Sequence, residues 1–273
     1  MGYKGIFNGL LMAALAVATV SCDEIGEDER LVWTDPADFQ FTNKVVLLEE
    51  FTGHRCPNCP SGAEVVHGLE TWARGHVIPV SIHCGFYAEV INNTAFSTDF
   101  RTNAGNAYFN EFGPDAFPSA MVDRSFDEDM VYINSNYSTW QADVLERAIE
   151  TSPVDLQLDV TRNDRNLSID VTTAVYSTLG VGLSLQLWLV EDSIVGAQLA
   201  GNEIDYNYVH NHVLRDAING TWGEEIGVPV AGSTVARNYN YTIGEACKPE
   251  NCHVVAFLYE TASRGNVIQA ARW

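Results

Sequence analysis

KVVLLEEFTGHRCPNCP, residues 44 to 60, is an apolar β-prone run that ends in two cysteines separated by two residues. Val45, Val46, Leu47 and Leu48 form a continuous apolar segment, which with Phe51 reads as a strand buried on both faces. From Ser61 to Arg74 the apolar residues Val65, Val66, Leu69, Trp72 and Ala73 recur at helical spacing. Cys56 and Cys59 therefore sit where a strand hands over to a helix N-terminus. A helix start favours negative charge and lowers a thiol pKa, which makes a Cys56 thiolate accessible near neutral pH. A structural zinc site needs a second CxxC or a short-spaced histidine pair, and none lies nearby. A purely structural bridge across two residues closes almost no loop and so stabilises little. Of the three readings, a redox pair is favoured.

These residues resemble the thioredoxin-fold proteins. That family carries a buried acid six positions before the first cysteine, and Glu50 stands at that offset. It also carries a cis proline facing the cysteines, and Phe117-Pro118-Ser119-Ala120 resembles that loop. The resemblance implies Cys56 as nucleophile, Cys59 as resolving thiol, Glu50 as proton relay and Pro118 as shaper of a groove. The Phe117 backbone would pair there with an extended substrate peptide. His54 and Arg55 are expected to add positive charge beside Cys56. Arg55 replaces the family's usual tryptophan, and Pro57-Asn58 departs from its Gly-Pro.

The chain has 273 residues, which makes two domains the prior. Its net charge of −21 argues against nucleic acid as a partner. Lys4 followed by the apolar run Ile6 to Val20 reads as a leader. Thr19-Val20-Ser21-Cys22 resembles a bacterial lipobox, with Thr19 in place of the usual leucine-like residue. The expectation is a signal peptide over 1–21 and a lipid anchor on Cys22. An acidic tether and lead-in follow over 22–43, and the protein is expected at the outer membrane, facing either the periplasm or the exterior.

A thioredoxin-like α/β domain is expected over 44–152. His76 to His83 reads as a second strand, parallel to the first. Its carboxyl end would bring His83 and Cys84 near the redox pair, although a buried thiol and a strand-end imidazole are the plainer readings. Thr98 to Phe112 and Tyr137 to Glu150 show helical spacing, with Gly113-Pro114 ending the first and Ser138 a cap for the second. Thr151-Ser152-Pro153 then breaks the pattern.

Residues 153–273 alternate apolar with polar at Val154 to Val160, Leu167 to Val175, Leu183 to Val190, Val235 to Ile243, His253 to Thr261 and Asn266 to Trp273. They read as a separate antiparallel, Ig-like β-sandwich. Cys247 and Cys252 flank a turn as a stapling disulfide, with a second redox pair as the alternative. Gly196 to Gly232 is expected to be a long loop. Its His210 and His212 invite a metal, but no short-spaced Cys, Asp or Glu completes a set, so no metal and no cofactor is expected. The leader, EEFTGHRCPNCP, FPSAMVDR and YVHNHVLRDAINGTWGE together resemble the outer membrane protein 28-related family of Bacteroides-type bacteria. That resemblance implies an envelope protein with a thioredoxin-like domain and a β-sandwich. Two functions compete. One is thiol–disulfide exchange on envelope or secreted protein substrates. The other is non-catalytic binding or adhesion on the same scaffold.

Overall fold

The computed structural model describes residues 35–273. The expected signal peptide, the Cys22 anchor and most of the tether lie outside the described residues. In the first half, β1 (Val46–Thr52) leads through the cysteine turn to α1 (Cys59–Trp72) and then β2 (Val77–His83). α2 (Asn103–Phe112), β3 (Ser119–Val122), the small ribbon β4 (Phe126–Asp127) with β5 (Met130–Val131), and α3 (Trp140–Ala148) follow. In the second half β6 (Val154–Asn163), β7 (Asn166–Val175) and β8 (Leu183–Glu191) are succeeded by β9 (Ile194–Ala200) and β10 (Glu203–His210). β11 (Val213–Ala217), β12 (Glu224–Gly227), β13 (Thr234–Thr242), β14 (Cys252–Glu260) and β15 (Val267–Arg272) complete the described chain. The fold is β-rich, with few helices and several sheets.

Local signals set the helix ends. Thr102 caps α2 by accepting the Gly105 N–H at 2.8 Å, and Gly113 ends it in the left-handed region at φ 62°. The Thr139 side chain does not cap α3, and Ser138 instead donates to Asn136. The β1, α1, β2 unit is parallel, with Glu50 level with Ser81, and β3 runs antiparallel to β1 on its other side.

The expected division near Ser152 does not separate two domains. The largest sheet runs β15-β14-β8-β11-β2-β1-β3, with β12 also on β8, so strands from both halves share one hydrogen-bonded surface. The join is β2 to β11, where Ser81 pairs with Val213 and the Ser81 N–H donates to the His212 carbonyl at 2.7 Å. β2 is buried along its whole length. A bare edge there would leave backbone groups unpaired, and β11 satisfies those at Ser81. No free-standing Ig-like sandwich forms. A three-stranded sheet, β13-β7-β6, packs its Val154, Ile169 and Val171 against Leu185, Leu187, Val254 and Ala256 of the large sheet.

The opposite face of the large sheet carries a second core, in which Tyr108 of α2 meets Leu47, Ile82, Trp188 and Phe257. Arg124, 1 % exposed, stands inside it. Its guanidinium makes two bonds to Glu49, at 2.7 and 2.8 Å. Trp188, Phe257 and Tyr259 lie 5.2 to 5.8 Å from it. A buried guanidinium is tolerated only where charge and donors are matched, and here the counter-charge comes from the first half and the aromatic faces mostly from the second. Lys44 makes a second tie, bonding Asp123 at 2.8 Å and the Val267 carbonyl at 2.7 Å.

Candidate functional site around the cysteine pair

Cys56 and Cys59 are joined as a disulfide, with Cα atoms 5.4 Å apart. Cys59 opens α1 and Cys56 lies in the turn before it, as the spacing of the apolar residues predicts. Glu50 projects from β1 beneath α1, where it accepts the Ser81 hydroxyl at 3.0 Å and leaves Oε1 without a partner. Burial without a counter-charge pushes its pKa up to about 8. The Phe117–Pro118 peptide is cis. A Cβ built on Gly62 of α1 would meet the Pro118 ring at 2.8 Å and Glu50 Oε1 at 3.0 Å, so this glycine is what lets helix, proline and acid converge. Sequence reasoning did not single it out.

Other expected residues fall differently. Burial keeps His54 neutral by lowering its pKa, and its Nε2 meets the Glu89 carbonyl at 3.2 Å. It adds no positive charge beside Cys56. Arg55 directs its guanidinium over the Phe86 ring at 4.4 Å, and Phe117 packs edge-on against Tyr87. His83 does join the site, lining a cavity of about 350 Å³ with Glu50, Cys59 and Ser81. Cys84 does not join it. Cys84 is fully buried in the opposite core, where desolvation raises its thiol pKa far above the ordinary value and leaves it inert.

The segment expected as a long loop, 196 to 232, contains strands, and one hairpin of it closes the site. The β9–β10 hairpin lies over the cysteine turn. Its Leu199 N–H donates to the His54 carbonyl at 2.8 Å, and its Gly201 N–H to the Pro57 carbonyl at 2.9 Å. The Gln198 amide donates to the Cys56 carbonyl at 3.0 Å. Cys56 is consequently 1 % exposed. Alternation at Val195, Ala197 and Leu199 was the signal in the sequence that would have found this strand.

His210 and His212 do not act as a pair. His212 adopts φ 57° and turns toward Asp192 and Glu70, at 3.4 and 3.6 Å. His210 packs on Phe100 at 4.5 Å and His83 at 5.4 Å between ring centroids. Nε2 of His210 and Nδ1 of His83 are buried without partners, and desolvation holds both rings neutral, with His210 lowered to about 4. Among the described residues, the three side chains brought close enough to share an ion are Glu191, Cys247 and Cys252. Those two cysteines are free thiols rather than the expected staple.

The described chain is thus a β-rich protein with a buried dithiol-derived site at a strand-to-helix turn, sealed by a hairpin from its second half. A family profile described as outer membrane protein Omp28 matches residues 105–272, and the chain belongs to that family. Membership points to the outer membrane or envelope. Among solved structures it is similar to HBP35 of Porphyromonas gingivalis, with a TM-score of 0.64 at 16% identity over 86% of this chain and 76% of that one. It is also similar to a structural-genomics protein of Agrobacterium tumefaciens, with a TM-score of 0.53 at 13% identity over 85% of this chain and 94% of that one. At these identities the likeness is one of fold. No curated protein matches the chain. Among the described residues no helix is long and apolar enough to cross a membrane.

Proposed function

We propose that the chain is an envelope thiol–disulfide exchange protein whose first half is a thioredoxin-like unit. The observation that carries this reading is the convergence of the Cys56–Cys59 disulfide, buried Glu50 and Pro118 around Gly62. On reduction Cys56 is the thiol that attacks a substrate disulfide, because it stands in the turn outside the helix. Cys59 resolves the mixed disulfide, and Glu50, protonated at neutral pH, exchanges the proton that this step needs. The substrates are envelope or secreted proteins with thiols or disulfides, presented as an extended segment beside Phe117 once the hairpin has moved. A lipid anchor on Cys22 would hold the protein at the outer membrane.

The closure by Gln198, Leu199 and Gly201 favours a second reading, in which the scaffold binds a partner and the disulfide never turns over. One experiment decides between them. The Cys59→Ser chain, expressed in the native envelope, is expected to accumulate mixed disulfides through Cys56 that vanish in Cys56→Ser. If no adduct forms and the pair stays oxidised in buffers as reducing as about −300 mV, the exchange reading fails.

A further inference from the structure

Cys247 and Cys252 lie on either side of a short helical turn, Pro249–Asn251, where the chain enters β14. They are free thiols in hydrogen-bonding contact, and both sit just under the surface, 7 % and 6 % exposed. Cys252 pairs in register with Glu191 on β8. The sulfurs and a Glu191 carboxylate oxygen all lie within 4.8 Å of one another. Glu191 is 2 % exposed, and its two oxygens have different tasks. Oε1 accepts the Lys248 N–H at 2.8 Å, whereas Oε2 makes no hydrogen bond. The Arg215 guanidinium stands 3.3 Å from Oε2 and also faces Cys247.

Three readings of such a cluster compete, and the surroundings choose among them. A staple is needed where nothing else holds the turn, but this turn is already clamped. Arg165 donates to the carbonyls of Ile243, Gly244 and Cys247 at 3.3, 2.7 and 3.2 Å. The Asp192 N–H bonds the Asn251 carbonyl at 3.0 Å, and Arg162 bonds the Pro249 carbonyl. A bridge here would close only a four-residue turn and add little by chain entropy. The same clamp holds the two thiols together while they are reduced. A divalent cation would have to settle against Arg215, a fixed positive charge that already meets the third ligand. A thiolate gains from that charge, and Cys247 is accordingly lowered to about 7, first by the Cys252 thiol and then, against the cost of burial, by Arg215.

We propose that Cys247 and Cys252 form a second thiol–disulfide exchange centre, separate from the Cys56–Cys59 site, that takes small organic disulfides. With Cys247 and Cys252 only 7 % and 6 % exposed, the substrate that reaches their sulfurs is small. The Cys247 thiolate attacks one sulfur of R–S–S–R, the S–S bond breaks, and RS⁻ leaves and is protonated by solvent. Cys252 then gives its proton to Glu191 Oε2 and attacks the Cys247 sulfur, which forms the internal disulfide and expels the second RS⁻, and this thiolate takes up the proton from Glu191. Two electrons pass from the dithiol to the substrate, and its two thiols carry the protons away. Arg215 is a positioning residue that acts through the Cys247 thiolate.

The test uses the full chain carrying Cys56→Ser and Cys59→Ser, so that its outcome is independent of the first site. It is equilibrated with oxidised and reduced glutathione and read by peptide-resolved alkylation. The expected result is a reversible transition of Cys247 and Cys252 within glutathione buffers. Arg215→Gln should slow alkylation of Cys247 at pH 7 about fivefold to tenfold, and Arg215→Lys should restore it. Glu191→Gln should accumulate glutathione on Cys247. A pair that stays oxidised at every glutathione ratio is a staple and overturns the proposal. So does one zinc per chain that shields both thiols until a chelator is added, or an alkylation rate indifferent to Arg215.

Discussion

Glu50 and Glu191 stand on one row across the large sheet, three strands apart and on the same face. Glu50 pairs with Ser81, Ser81 with Val213, and Val213 with Glu191, which in turn pairs with Cys252. Three strand spacings make the separation roughly 14 Å. Each carboxylate is buried, keeps one oxygen without a hydrogen bond, and lies beside a pair of cysteines. Of the two, Glu191 has a neighbouring cation, the Arg215 guanidinium at 3.3 Å, whereas Glu50 is buried without a counter-charge.

Glu50 has a folded pKa near 8, well above its unfolded value, so the folded chain binds the proton more tightly. Its contribution is favourable at low pH and is lost as pH rises from about 4.5 through 8, with a slope of up to ~1.4 kcal/mol per pH unit. Glu50→Gln should flatten that fall, as measured by denaturant midpoints across pH 5 to 9. An unchanged pH profile would mean that Glu50 is ionised in the fold.

Gln198 bonds the Cys56 carbonyl from the closing hairpin. Gln198→Ala should weaken the closure by ~1 kcal/mol and speed reduction of the Cys56–Cys59 disulfide by dithiothreitol about fivefold, with little change in global stability. A rate unaffected by the substitution would show that the disulfide is reduced without hairpin movement.

His210 is buried neutral against Phe100 and His83, with its pKa lowered to about 4. The sign is opposite to that of Glu50. Stability is complete above the unfolded value near 6.5 and is lost as pH falls toward 4. Amide-exchange protection factors in β9–β10 should therefore fall between pH 6.5 and 5 more than in β8 or β14. His210→Phe should remove part of that fall.

Arg124 joins Glu49 to the aromatic side chains of the second half. Removing one partner of a buried pair costs about 3–5 kcal/mol, so Arg124→Ala should lower the denaturation midpoint by that equivalent. Because one sheet carries strands of both halves, unfolding should be a single transition by circular dichroism and by tryptophan fluorescence. Two resolved transitions would restore the two-domain reading.

The sequence by itself determined the elements that depend on near neighbours. The strand, turn and helix around Cys56 and the α2 stop at Gly113 were legible because periodicity, caps and turn residues act over a few positions. So were Glu50, through its offset from Cys56, and Pro118, through the resemblance of the Phe117 to Ala120 stretch to a thioredoxin-fold loop. The tertiary structure alone decided that β2 and β11 merge two expected domains into one sheet, since nothing local marks which edge a buried strand seeks. It alone placed Gln198, His210 and Gly62 at the site, neutralised His54 by burial, and set Glu191 and Arg215 beside Cys247. Those outcomes depend on desolvation and on partners far away in the chain, and spacing along a sequence carries no record of either.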